Sequence, residues 1–230
     1  MSNYIYGKNS FSEALKNNRI SKAYVLKGSS FIDELKKKHI NYEIVDRSYL
    51  DSLTKSANHQ GALAEVFDYK LYELKDLIVK ENGLIVVLDG LKDPHNLGAI
   101  IRTCECAGVD GIIYKKHNAV KLSDTVAKVA SGALEHVKVV EVTNITNTLK
   151  ELKKQGYWVV GSDASGDVSY KDIDYKRNIV LVIGSEGEGI SRLVKEECDY
   201  IASLPMKGQV NSLNASVAAG ILIYNVISSR

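Results

Sequence analysis

Residues 83–91 read "GLIVVLDGL". Leu84 to Leu88 form an unbroken apolar run, closed by Asp89 and Gly90. A strand with one wet face alternates apolar and polar residues. A run without alternation suits a strand buried on both faces of a parallel sheet. The residues beyond it keep a rhythm. "NLGAIIRTCECAG" has helical spacing and "GIIYKK" reads as strand. "SDTVAKVASGALE" is helical and "VKVVEV" strand; "ITNTLKELKKQG" is helical and "YWVVGSDA" strand. After a loop come "NIVLVIGSE" as strand, "ISRLVKEEC" as helix, "YIASLPM" as strand and "SLNASVAAGILIYNVISS" as a long final helix. Regular alternation predicts an α/β domain with a mostly parallel sheet and helices on both faces. Ligands of such sheets gather at the carboxyl ends of strands. The polar and glycine clusters behind the strands are therefore the candidates for chemistry.

Residues 1 to about 72 are organised differently, with shorter elements. "SFSEALKNN" reads as a helix with Ser10 as N-cap and Glu13 completing a capping box. "KAYVLKG", "YEIVD" and "GALAEVF" read as strands, with a helical "SFIDELKKKH" among them. "YKLYELKDLIVKENG" reads as helical, polar and glycine-ended, and serves as a linker. The expected division is a small α/β domain over 1–72, a linker over 73–82 and a larger domain over 83–230.

Composition bounds the possibilities. Hydrophobic residues make up 45% of the 230 and charged residues 25%, enough for a packed core. No apolar run reaches about eighteen residues, and "MSNYIYGKNS" lacks a basic start followed by an apolar block. A cytoplasmic protein without a membrane partner is expected. Three cysteines, Cys104, Cys106 and Cys198, argue against a disulfide framework. With no CxxC and no HxxxH pair, no metal is expected. Residues 1–80 hold 13 Lys and Arg against 10 Asp and Glu, so the positive excess lies in the N-terminal third. The run Lys36, Lys37, Lys38 within it reads as a solvated helix face.

Three clusters stand behind strands. In "DPHNLGAIIR", residues 93–102, Pro94 and Asn96 are helix-start signals, and Asn96 suits a cap. Gly98 gives up about 1 kcal/mol of helix stability, which points to a close approach by another backbone or a ligand, or to helix packing. Arg102 shares its face and interrupts an apolar stretch; it needs an anionic partner, either an acid of this chain or a phosphate. In "LVIGSEGEGIS", residues 181–191, a strand ends in Gly184, Gly187 and Gly189 with Glu186 and Glu188 among them. The spacing is not that of dinucleotide folds, no Walker lysine follows, and two acids repel a pyrophosphate. A neutral or cationic ligand fits better, beside the alternative of a tight strand–helix turn. In "SLPMKGQVNSLNASVAAG", residues 203–220, Ser212 and Asn214 precede a helix of small residues that permits close packing, as against a partner subunit. "NSLN" also suits plain capping.

Together and in this order, the three clusters resemble the three motifs of the SpoU, or TrmH-like, RNA 2′-O-ribose methyltransferases of the SPOUT superfamily. "NLGAIIR" is similar to the first, "LVIGSEGEGIS" to the second and "LPMKGQVNSLNASVAAG" to the third. The resemblance covers residues 84–228. "YGKNSFSEAL" and "NHQGALAEV" resemble the small substrate-binding domain of the bacterial 23S rRNA guanosine 2′-O-methyltransferase branch. The resemblance implies an L30e-like N-terminal fold, a deep trefoil knot in the C-terminal domain, S-adenosylmethionine as cofactor, and a homodimer with active sites at the subunit interface. It implies that Gly184, Leu204 and Leu213, with Gly189 and Met206, line the cofactor site. It implies a reactive centre of Asn96, Arg102, Glu186, Ser212 and Asn214.

The expected reaction is methyl transfer to a ribose 2′ oxygen of RNA, on a guanosine of 23S rRNA. Alternatives are the same chemistry on a tRNA or another rRNA nucleotide, and a non-catalytic RNA-binding or ribosome-assembly factor. The glycine spacing disfavours a nicotinamide enzyme. Substrate recognition is expected to rest partly on residues 1–72.

Overall fold

The computed structural model describes residues 3–55, 58–210 and 212–230. Its contacts divide the chain into two compact units, one of residues 1–69 and 122–136, the other of 70–121 and 137–230.

The first unit runs β1 (Asn3–Tyr6), α1 (Lys8–Lys16), β2 (Ile20–Leu26), α2 (Ile32–Lys37), β3 (Asn41–Val45), α3 (Arg47–Thr54) and β4 (Ala62–Val66). Its sheet has the order β1-β4-β2-β3, with β4 antiparallel to both neighbours and β2 parallel to β3. Tyr24 and Leu63 pack with Leu50 of α3 on one face. Apolar spacing alone does not reveal α3, although Asp46 caps it by accepting from Tyr49 N at 2.8 Å. The reading of Ser10 as N-cap is corrected. Gly7, with φ of 92°, occupies that place. Ser10 lies one turn in, buried, and donates to Ala127 O at 3.4 Å. Glu13 pairs with Lys16 and His136 instead of closing a capping box.

Residues 122–136 belong to this unit by contact, although the sequence pattern reads them with the larger domain. Their helix, α5 (Asp124–Ala130), is capped by Ser123 and meets β1. Behind it, the Glu135 carboxylate receives Arg19 Nε at 2.7 Å, with both side chains nearly buried. Arg19 also lies over the Tyr69 ring, 3.5 Å from its centroid. Lys36 and Lys37 are exposed, while Lys38 is half-buried and donates to Lys16 O and Asn18 Oδ1 behind the end of α1.

The second unit holds a seven-stranded, wholly parallel sheet. Its elements are β5 (Leu84–Asp89), α4 (Pro94–Cys106), β6 (Gly111–Lys115), β7 (Val139–Val142), α6 (Ile145–Lys154), β8 (Trp158–Ser162), β9 (Val168–Ser169), β10 (Ile179–Gly184), α7 (Arg192–Lys195), β11 (Tyr200–Ser203) and α8 (Ala215–Ser228). The strand order is β7-β6-β5-β10-β8-β11-β9. The parallel α/β expectation holds, and the reason is visible: every residue of β5 and of β10 is buried. The loop expected before "NIVLVIGSE" contains the two-residue strand β9. The helical reading of residues 69–83 is corrected: only a 3-10 turn forms, at Leu74–Leu77, closed by a Glu73/Asp76 capping box. Leu77 is the one residue of that turn that is buried, and Tyr72 N bonds to Val139 O, so the segment follows the sheet edge rather than coiling. No helix among the described residues is long and apolar enough to cross a membrane, and no group of metal-ligating side chains forms.

Candidate functional site

β5 and β10 are neighbours in register, with Asp89 opposite Gly184 at their carboxyl ends. Beyond Gly184 the chain turns back on itself. Ser185 and Gly189 exchange backbone hydrogen bonds at 3.0 and 3.1 Å, and Gly187 and Gly189 take positive φ. The turn presses against the strand end so closely that a Cβ on Gly184 would stand 2.2 Å from the Gly189 carbonyl carbon. Gly184 is therefore required by the turn. The buried Asp89 carboxylate accepts from Ser191 N at 2.8 Å and ties down the far side of the same loop.

The loop presents Glu186 to two amides. Asn96 Nδ2 and Asn214 Nδ2 each donate to Glu186 Oε1 at 2.7 Å, and Asn214 Nδ2 also reaches Asn96 Oδ1 at 3.0 Å. Three residues from three motifs thus meet in one closed network. The Asn96 side chain is buried, and it does not cap α4. Asp93 does, accepting from His95 N at 3.0 Å, which frees the Asn96 amide for the network. Asn214 does two things with separate atoms. Its Oδ1 caps α8 by accepting from Ser216 N and Val217 N, and its Nδ2 serves the network.

A cavity of about 560 Å³ opens beside this network, within the size range of about 300–1,000 Å³ common for small-molecule sites. Gly184, Gly189, Leu204, Met206, Ser212, Leu213, Glu186 and Asn214 all line it. Asp163, at the end of β8, lines it too and was missed by sequence reasoning; an acid directly behind "WVVGS" was the available signal. Burial acts to raise the Asp163 carboxyl, but hydrogen bonds from Ser165 and Lys195 outweigh it and hold the group below the usual carboxylate range. The lining contains three carboxylates and no lysine or arginine. Such a wall favours a ligand with a cationic centre and polar groups to bind, and disfavours a polyphosphate.

Arg102 stands elsewhere. Six residues separate it from Asn96, which is about 120° round the helix and about 9 Å along it, away from the strand ends. It is exposed, does not line this cavity, and forms no hydrogen bond or ion pair among the described residues. Gly98 is buried within α4, the helix that packs on α8.

The fold and site together define a class: a parallel α/β domain carrying an acid-lined cavity at the carboxyl ends of its strands. Residues 83–224 match the SpoU rRNA methylase family, and residues 4–72 match the RNA 2′-O ribose methyltransferase substrate-binding family. The chain belongs to the SpoU rRNA methylase family. A Bacillus subtilis (strain 168) relative, YacO, whose name places it provisionally among TrmH family tRNA/rRNA methyltransferases, is 45% identical over 99% of this chain and 96% of its own. The SpoU methyltransferase AviRb from Streptomyces viridochromogenes superposes with a TM-score of 0.87 at 25% identity, covering 100% of this chain and 90% of that one. An AdoMet-bound rRNA methyltransferase from Sinorhizobium meliloti superposes at 0.84, also at 25% identity, over 98% of this chain and 86% of that one.

Proposed function

We propose that this chain methylates a ribose 2′ oxygen of RNA with S-adenosylmethionine, on a guanosine of 23S rRNA. The observation that carries the reading is the cavity lined by Glu186 and Asn214, which Asn96 joins in one hydrogen-bonded network. The residues present suit the cofactor: carboxylates for a cation, hydroxyls for a nucleoside, and Leu204, Met206 and Leu213 for apolar atoms. When bound, S-adenosylmethionine supplies an electrophilic methyl group on a positively charged sulfur. Glu186, fixed by two amides, offers that charge a preorganised negative partner. The network holds its shape before substrate arrives, so positioning contributes to the rate.

Arg102 enters this reading through a second copy of the chain. α8 buries Ala219, Leu222, Ile223 and Val226, yet Val217, Ile221 and Tyr224 form an exposed apolar row at helical spacing. A homodimer that covers this row gives the small residues of α8 their purpose, and Arg102 of the partner subunit completes the centre. A guanidinium is a poor base; its role in this reading is to hold a phosphate and steady the developing alkoxide. The deep trefoil knot and the L30e-like character of the N-terminal unit belong to the same reading.

Two experiments test it. Labelled cofactor incubated with total RNA from an unmodified strain should label 23S rRNA at a 2′ oxygen of guanosine. Label on tRNA, or on another rRNA nucleotide, replaces the substrate and keeps the chemistry; no label on any RNA removes the chemistry. Mixing an Arg102→Ala variant with a Glu186→Gln variant tests the shared centre. Each alone is nearly inactive, and random pairing should restore about a quarter of wild-type activity if every site takes its arginine from the other copy. A mixture as inactive as its parts would place both residues in one chain's site.

A further inference from the structure

A second, smaller cavity lies on the other side of Glu186. It measures about 200 Å³ and is lined by Lys92 and Asp93 on the α4 side, with Asn96, Glu186 and Glu188 among the remaining lining residues. At about 30 Å³ per water, it has room for a sugar ring and little else. Glu186 lines both cavities and Asn96 only the smaller, so Glu186 stands between two compartments.

Lys92 lines the smaller compartment, and it belongs to a pair of adjoining segments rich in basic residues. β5 and β6 pair in parallel up to Leu88 and Tyr114, so the segments after them leave the sheet side by side. Val120 N donates to Leu91 O at 3.0 Å and joins the two. They carry Lys92 on one and Lys115, Lys116 and Lys121 on the other, with His95 and His117 interspersed. All but Lys115 are exposed. Among the described residues, none of these six side chains has an ion pair or a hydrogen bond. Asp93 is the one acid on the two segments, and its carboxylate is engaged in capping α4. The local excess stands out because residues 81–230 hold 17 basic against 18 acidic residues.

We propose that these two segments grip the phosphodiester backbone of single-stranded RNA on either side of the target nucleotide, whose ribose faces the smaller compartment. The proposal rests on the methyl-transfer reading for the identity of that nucleotide, and on the geometry for the surface. Unpaired lysines on exposed loops suit phosphates, which position a nucleic acid without reading its sequence. Lys92 lines the compartment together with Asn96 and Glu186, and so brings the backbone next to them. RNA contact is thereby assigned to the methyltransferase unit itself and does not rest on the N-terminal unit alone.

The test uses the full chain with Lys92→Ala, Lys116→Ala and Lys121→Ala combined, and a fluorescent single-stranded oligoribonucleotide titrated at several salt concentrations. Single-stranded nucleic acid releases counterions with a slope of about 0.7 per phosphate contact, so the plot of log affinity against log salt should flatten by about 2. Extrapolated from 1 M salt, that slope corresponds to about a hundredfold loss of affinity at 0.1 M. S-adenosylmethionine binding, followed by calorimetry, should be unchanged, and the KM for rRNA should rise far more than kcat falls. A control combines Lys80→Ala, Lys154→Ala and Lys176→Ala, the same charge change on exposed lysines that precede strands. An unaltered salt slope in the first variant, or an equal loss in the control, overturns the proposal. Methyl transfer with an unaltered slope sinks this surface alone. A flattened slope without methyl transfer in the wild type sinks the reaction and keeps the surface.

Discussion

Asn214 separates two functions that a single alanine variant would blur. Its Oδ1 caps α8, and its Nδ2 holds Glu186 and Asn96. Asn214→Ala loses the cap, about 1 kcal/mol, and leaves the buried Asn96 oxygen without its donor, about 1–3 kcal/mol. At about 2–4 °C per kcal/mol for a chain of this size, the melting temperature should fall by roughly 4–16 °C. Asn214→Ser keeps the cap and should melt roughly 2–4 °C above the alanine variant. Asn214→Asp is the informative change. It keeps the cap but sets a carboxylate against Glu186, where Nδ2 now stands 2.7 Å from Oε1. Two charges about 4 Å apart repel by about 1 kcal/mol in water and about 4 kcal/mol near a protein surface; both groups here are exposed, so the lower half of that range applies. The pair then keeps a proton to higher pH in the folded state than in the unfolded one. Stability from that proton is present below the unfolded carboxyl pKa and is lost as pH rises through the folded value. The deficit of Asn214→Asp relative to wild type should therefore be small at acidic pH and grow by about 1–2 kcal/mol toward neutrality, read by circular dichroism melts of both proteins in matched buffers. A deficit that does not change with pH would show that Asn214 and Glu186 are not in contact, and the network would have to be abandoned.

Single sites elsewhere carry expectations of their own. Gly184→Ala drives a methyl group into the Gly189 backbone, and should cost about 3 kcal/mol or more in a denaturant titration; a loss under about 1 kcal/mol would mean the turn does not close on the strand. Arg19→Ala leaves Glu135 buried without its partner, for about 3–5 kcal/mol. Burial already raises the Glu135 carboxyl despite Arg19, so its contribution favours folding at low pH and wanes as pH rises through the folded value; the variant should be least stable, relative to wild type, in alkaline buffer. A fragment of residues 1–72 should be poorly folded by NMR unless residues 122–136 are supplied, because Arg19, Ser10 and Glu13 each bond to that segment. Arg102→Lys should lose most turnover and keep its affinity for S-adenosylmethionine, and wild-type rates would remove Arg102 from the reaction.

What the sequence disclosed and what it hid divide along a physical line. Unbroken apolar runs announced β5 and β10, because burial on both faces leaves no polar residue in them. Glycines announced the turn after β10, because Gly184 has no space for a side chain. Local chemistry was harder to read. Ser10 and Asn96 both look like caps, yet Gly7 and Asp93 start those helices, since capping is decided by where the backbone turns and several residues in a row can supply the oxygen. Residues 122–136 follow the rhythm of the large sheet but pack with β1 and Arg19, and periodicity carries no information about which unit buries an apolar face.

Arg102 exposes the same limit most sharply. Its position in the apolar stretch of α4 raised the question of an anionic partner, and the chain as folded answers it with none among the described residues. Glu186 of the second motif is already held by two amides, and the helix carries Arg102 about 120° and about 9 Å away from Asn96. The exposed Arg102 guanidinium has no partner among the described residues, and α8, on which α4 packs, exposes an apolar row. The proposed homodimer is what gives Arg102 a role, in the partner's site. That an arginine of the first motif has no partner among the described residues is thus an argument for the proposed shared site.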